Sequence, residues 1–199
     1  MPEMIRILCE GLATVLFTLI CTRYLCKNMK KRDFRFVPWL PYVLTGCGSA
    51  TLFLFGGLSP RTFCGIAFLF VLLYASVQDH TSHEADDILS VMMLMLAVTN
   101  ISEATVLSQL LGAAIVGGAQ MLIALCGKKR MGIGGADIKL STAAALLLGF
   151  YKGVIGFMLG LLIAVVAQLI MTRRKKEQRT QPFALLPYLS VGLWIGYLI

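Results

Sequence analysis

Charge is scarce in this sequence: Asp, Glu, Lys and Arg make up 14% of its 199 residues, while 58% are hydrophobic. Soluble domains carry roughly a quarter charged residues, so a water-soluble globular fold is excluded. With a mean hydropathy of +0.81, the chain reads as an integral membrane protein. No Cys-x-x-Cys pair occurs, and Cys9, Cys21, Cys26, Cys47, Cys64 and Cys126 are scattered through or beside apolar runs. That placement suits neither a zinc site nor a disulfide framework, and the six are read as small apolar side chains. The opening MPEMIRILCEGLATVLFTLICTRYLCK lacks a small-x-small cleavage site before its basic run, so a retained span is expected rather than a signal peptide. The basic residues behind the net charge of +8 stand in short clusters between apolar segments, not along one face of a domain. They are topology signals, and nucleic acid is not an expected partner.

What the sequence has in abundance is apolar length. About eight segments lie near residues 4–25, 38–57, 62–78, 88–102, 105–126, 138–151, 153–172 and 182–199, against the roughly 20 residues a helix needs to cross a bilayer. The expected fold is all-α, a polytopic integral membrane protein of about eight transmembrane helices forming one membrane-embedded domain over 1–199. The sixth segment is short and rich in Ala, Gly and Ser, which favours close helix packing over lipid contact. Arg23, Lys27, Lys30, Lys31, Arg32 and Arg35 flank the first connection. Lys128, Lys129, Arg130 and Lys139 flank the fifth, and Arg173, Arg174, Lys175, Lys176 and Arg179 the seventh. These three connections fall on one side of an eight-span chain and hold 15 of the 18 Lys and Arg residues. That side is expected to be cytoplasmic, with both termini outside.

The third connection, on the same side, differs. QDHTSHEADDIL carries Asp79, Glu84, Asp86 and Asp87 with His80 and His83, and has no basic residue. Asp79 closes the third segment. At the start of the sixth, GIGGADIKL brings three glycines up to Asp137, the one acid between Glu103 and Glu177. Two carboxylates from distant parts of the chain therefore meet the same membrane face, each at a helix end. Acids at membrane depth are functional candidates, and glycine lets a backbone come close. Two Asp sharing a site can hold one proton between them, the neutral one polarising a carbonyl while the charged one activates water. Helix dipoles assign the charge to Asp137, at an N-terminus, and the proton to Asp79, at a C-terminus.

These residues resemble those of the type IV prepilin peptidases, polytopic aspartic proteases with a Gly-x-Gly-Asp motif followed by a hydrophobic residue and Lys. GGADIKL supplies Gly134, Gly135, Asp137 and Lys139, with Ala136 where the last glycine usually falls. DHTSHEADDIL supplies Asp79 and, as the later polar residue, Asp87. QPFALLPYLSVGLWIGYL is similar to the family's opening of the last span. The likeness covers residues 62–199 as a catalytic core, leaving 1–61 as a divergent two-span part. It departs at Ala85-Asp86, where Ile-Pro is usual, and residues 27–37 hold no counterpart of the domain used for N-methylation. The resemblance implies a stand-alone aspartic endopeptidase of the cell membrane, with Asp79 and Asp137 catalytic and Gly134, Gly135, Ala136, Asp87 and Lys139 around them. Its implied substrate is a prepilin or pseudopilin, cut on the cytoplasmic side after a short basic leader. No cofactor or metal is expected.

Other readings of the same residues stay open at this level. Asp79 and Asp137 also suit a cation relay in an ion-coupled secondary transporter, and a presenilin-like protease shares the Gly-x-Gly-Asp idea. His80 and His83 beside Asp79 and Asp86 could be drawn as a metal site, although a catalytic zinc wants three placed ligands. The methionines of VMMLMLAV read as lipid or core contacts. Lys139, two residues past Asp137, points elsewhere on its helix and is expected to snorkel to the interface.

Overall fold

A computed structural model describes residues 2–32, 34, 36–82, 86–100, 105–126, 134–174 and 184–199. Among the described residues the chain forms eight helices and no strand: α1 (Pro2–Lys31), α2 (Leu40–Gly56), α3 (Pro60–Ser82), α4 (Asp87–Thr99), α5 (Val106–Cys126), α6 (Gly135–Leu148), α7 (Phe150–Arg174) and α8 (Leu186–Leu198). Cys9–Lys31, Pro60–Ser82, Val106–Leu125 and Phe150–Met171 are long and apolar enough to cross a membrane, and α2, α4 and α8 are shorter apolar helices. The all-α polytopic architecture is as the sequence predicts. Two helices run well past their expected ends. α1 runs on to Lys31, because the long stems of the exposed Lys27, Lys30 and Lys31 suit a helix and their charges favour its C-terminal end. α3 continues to Ser82, which places Asp79 inside its last turn instead of at its close. The basic clusters at Lys128, Lys129 and Arg130 and at Lys175, Lys176 and Arg179 lie outside the described residues, as do His83, Glu84, Ala85, Gly132, Ile133 and the Pro182-Phe183 pair.

The chain divides into two compact units, Met1–Val77 and Gln78–Ile199. In the first, α1 and α2 are joined by buried hydroxyls: Thr22 and Thr45 share a 2.7 Å hydrogen bond, and Thr18 donates to Ser49 at 3.0 Å. The carbonyls one turn back, at Thr18 and Pro41, lie within 2.8 Å of the same two hydroxyls, so whichever of the pair does not donate across the seam has an acceptor on its own helix. Small polar residues of this kind let two apolar helices approach closely where hydrophobicity alone gives no preference for helix over lipid. α2 ends at Gly57, whose φ of 58° lies in the left-handed region that glycine adopts without strain.

The second unit is built around α6. At 14 residues it is about 21 Å long, too short for a hydrocarbon core of roughly 30 Å. It is surrounded by α4, α5, α7 and α8, with Leu140, Ser141, Ala143, Ala144, Ala145 and Leu147 buried. The short sixth segment thus packs inside the bundle, as its small residues predict. α7 and α8 meet almost backbone to backbone: a methyl on Gly192 would run into Gly160 and Gly156, and one on Gly196 would come within 2.6 Å of the Lys152 carbonyl oxygen. Val116, Ala145, Phe157 and Leu189 form a buried cluster joining α5, α6, α7 and α8. Met93 of α4 is fully buried whereas Met92 and Met95 face outward, so the methionine run serves both core and exposed surface.

Candidate active site

Within the second unit, the last turn of α3 and the first turns of α4, α6 and α8 carry the candidate residues. Asp79 is 6% exposed. Its Oδ2 accepts the backbone N–H of Leu186 at 3.0 Å. Leu186 is the first residue of α8, where N–H groups have no partner inside the helix and attract negative charge. An acid near the C-terminal end of one helix is thereby capped by the N-terminal end of another. The Pro187 that follows Leu186 marks such a helix start, and was the available sequence signal for this contact. One residue earlier, buried Gln78 accepts the Asp86 N–H through Oε1 at 3.3 Å, tying the entry of α4 to the end of α3.

Asp137 is 9% exposed and lies in the first turn of α6. Gly134 is the N-cap residue, extended at φ −61° and ψ 140°, and its carbonyl accepts the Asp137 N–H at 3.1 Å. A Cβ on Gly134 would stand 3.3 Å from Asp137 Oδ2, while one on Gly135 would meet nothing within 4 Å. Gly134 therefore leaves the carboxyl its room, and Gly135 answers no steric demand of this kind. Ala136, the departure from the usual motif, sits in regular helix, where alanine is the best of all residues. Ser141 Oγ, one turn on, stands 2.6 Å from the Asp137 carbonyl oxygen and 2.8 Å from Gln120 Oε1 on α5, with its one proton to share between the two acceptors. Gln120 is fully buried, and its Nε2 has no hydrogen-bond partner among the described residues. Neither Ser141 nor Gln120 was singled out from the sequence. A lone Gln inside an apolar segment is the one signal that pointed to them.

Asp137 precedes the sixth apolar segment and lies outside the four helices long enough to span. Its carboxyl is pushed up to about 6, first by burial and then by the Asp79 carboxylate, against a smaller lowering by the Gly134 backbone. The two aspartates, far apart in sequence, thus act on one another electrostatically. These two effects oppose the helix-dipole preference for an ionised Asp137. The positive end of α6 is outweighed by desolvation together with a like charge.

Lys139 and Asp87 form an ion pair of 2.8 Å, with side chains 58% and 70% exposed, linking the starts of α6 and α4. The structure thus brings these two residues together at the surface, separate from the buried carboxyls. His80 is exposed. Among the described residues no three His, Cys, Asp or Glu side chains are grouped closely enough to hold a metal ion.

The model of the type IV leader peptidase family matches residues 66–172, a stretch that includes both aspartates. The chain belongs to the type IV leader peptidase family. No curated protein and no solved structure matches it. Its helices and its family together make it a multi-pass membrane protein of peptidase type.

Proposed function

We propose that this protein is an aspartic endopeptidase that removes the short basic leader of type IV prepilins or pseudopilins at the cytoplasmic face of the cell membrane, with Asp79 and Asp137 as the catalytic dyad. One observation carries the reading: two nearly buried carboxyls, on α3 and α6, lie close enough for the charge of Asp79 to raise Asp137. Like charges held together in a desolvated place keep a single proton between them, which is the resting state this chemistry needs.

Asp79, with one oxygen held by the Leu186 N–H, serves as the carboxylate. It takes a proton from water as the water oxygen attacks the scissile carbonyl carbon. Asp137 keeps the shared proton and donates a hydrogen bond to the carbonyl oxygen, where negative charge develops. Collapse of the tetrahedral intermediate breaks the C–N bond. The leaving amine takes up a proton from the dyad, and one proton remains for the next turnover. Gly134 leaves the Asp137 carboxyl unobstructed, and Ser141 with Gln120 holds the first turn of α6 to α5. The exposed Lys139–Asp87 pair and Ala136 belong to the rim over which a leader passes. Residues 62–199 make up the catalytic core and 1–61 a two-span N-terminal part, within one membrane domain. Placement of the acids at helix ends favours this reading over an ion-coupled transporter, whose relay belongs near the midplane.

Co-expression with a candidate prepilin tests the substrate: a smaller product on a gel with the wild type, and none with Asp79→Asn, is expected. A cysteine at Ser82 should react with membrane-impermeant reagent from the cytoplasmic side alone. An uncut prepilin panel, or labelling of Ser82 from outside, overturns the assignment.

A further inference from the structure

Within the first unit, α1 and α3 leave an open groove of about 430 Å³. Its walls come from one face of each helix. Phe17, Cys21, Leu25 and Asn28 recur at helical spacing on α1, and Phe63, Phe70 and Tyr74 on α3. The Phe34 and Tyr74 rings meet edge to face at 5.9 Å, so Tyr74 stands at the C-terminal end of α1. The groove therefore has a direction. It is apolar from Phe17 and Phe63 onward, and its polar groups, Tyr24, Asn28 and Tyr74, gather at the end where α1 turns basic.

Length and charge identify an occupant. From Phe17 to Asn28 the helix rises about 16 Å, close to the roughly 15 Å of one leaflet's hydrocarbon. Lys27 and Lys31 lie three residues beyond Tyr24 and Asn28, which carries the same helix face past the groove's polar end, and both are exposed. A peptide helix is about 10 Å across. A single acyl chain is the narrower guest. We infer that the α1–α3 groove is a binding site for one anionic phospholipid of the leaflet on the basic side, its acyl chain along Phe17, Phe63 and Phe70 and its phosphate at Lys27 and Lys31. This site shares no residue with the candidate active site and does not rest on the peptidase reading.

Native mass spectrometry of the full chain in detergent, titrated with phosphatidylglycerol or phosphatidylcholine, tests the site. The wild type should retain one phosphatidylglycerol roughly thirtyfold more tightly than phosphatidylcholine, the preference that two lysines near an anionic headgroup supply. Lys27→Gln with Lys31→Gln should abolish that preference and still retain either lipid. Ala67→Trp, which fills the groove between Phe63 and Phe70, should lose the tight lipid. Cys21→Phe is a second filling variant should the first fail to fold, with helix content by circular dichroism as the control. Equal retention of phosphatidylglycerol by the wild type and a folded filling variant overturns the inference. So does equal affinity of the wild type for the two lipids, or a dimer mass that the filling variants abolish, which would give the groove to a second copy of the chain.

Discussion

If Asp137 holds the shared proton, the pH dependence of cleavage should follow that one carboxyl. Burial and the Asp79 charge take it from 3.8 to about 6, which at 1.36 kcal/mol per pH unit places its ionised form about 3 kcal/mol higher than in water. The singly protonated dyad then dominates below about pH 6 and falls tenfold for each unit above it. In the free enzyme kcat/KM reports that population. The profile should be level approaching 6 from the acid side and decline with unit slope beyond, with a lower acid limb where the partner carboxylate gains its own proton. A quenched-fluorescence leader peptide in detergent, followed from pH 4.5 to 8.5, measures it. Stability has the same sign. The native state binds a proton between 3.8 and 6 that the unfolded chain releases, so about 3 kcal/mol is lost as pH rises through that window. A kcat/KM that climbs to a plateau above pH 6 would refute the reasoning, because the ionised dyad would then be the active one.

Three other perturbations follow from the geometry. Gly134→Ala should lower kcat about tenfold with little change in KM, since its Cβ would crowd Asp137 Oδ2 at 3.3 Å, whereas Gly135→Ala should stay within about twofold. Ser141→Ala should cut kcat about fivefold, the worth of one hydrogen bond of roughly 1 kcal/mol, and leave KM unchanged, because Ser141 holds the Asp137 turn and touches no substrate. Gly192→Val should prevent monodisperse extraction in mild detergent, since the new side chain strikes the backbone of α7 at Gly160; a well-behaved variant would mean that α7 and α8 pack less closely than described.

The helices were legible because apolar runs of this length have few alternatives in a bilayer, where every backbone polar group must be satisfied within the segment. The short α6 was legible from its Ala, Gly and Ser content, which marks close packing. Asp79 and Asp137 stood out because an acid beside an apolar run needs a reason. The rest depends on contacts between helices that no sequence period encodes. The Leu186 N–H on Asp79 joins α8 to α3, and Gln120 reaches Ser141 from α5 to α6. The upward push on Asp137 was hidden for a related reason: helix direction is visible in the sequence, whereas the depth of burial that opposes a helix dipole is not. Lys139 was expected to snorkel alone, and its pairing with Asp87 required knowing that α4 and α6 start side by side.

The dyad itself is tested most directly by comparing single and double substitutions under single-turnover conditions on one prepilin. Two carboxyls that act as one device are not additive. Asp79→Asn, Asp137→Asn and the double variant should all fall to nearly the same residual rate, while each still binds the uncut substrate. A double variant slower than either single by the product of their separate effects, or a single variant that keeps more than about a tenth of wild-type cleavage, would contradict a shared proton between Asp79 and Asp137.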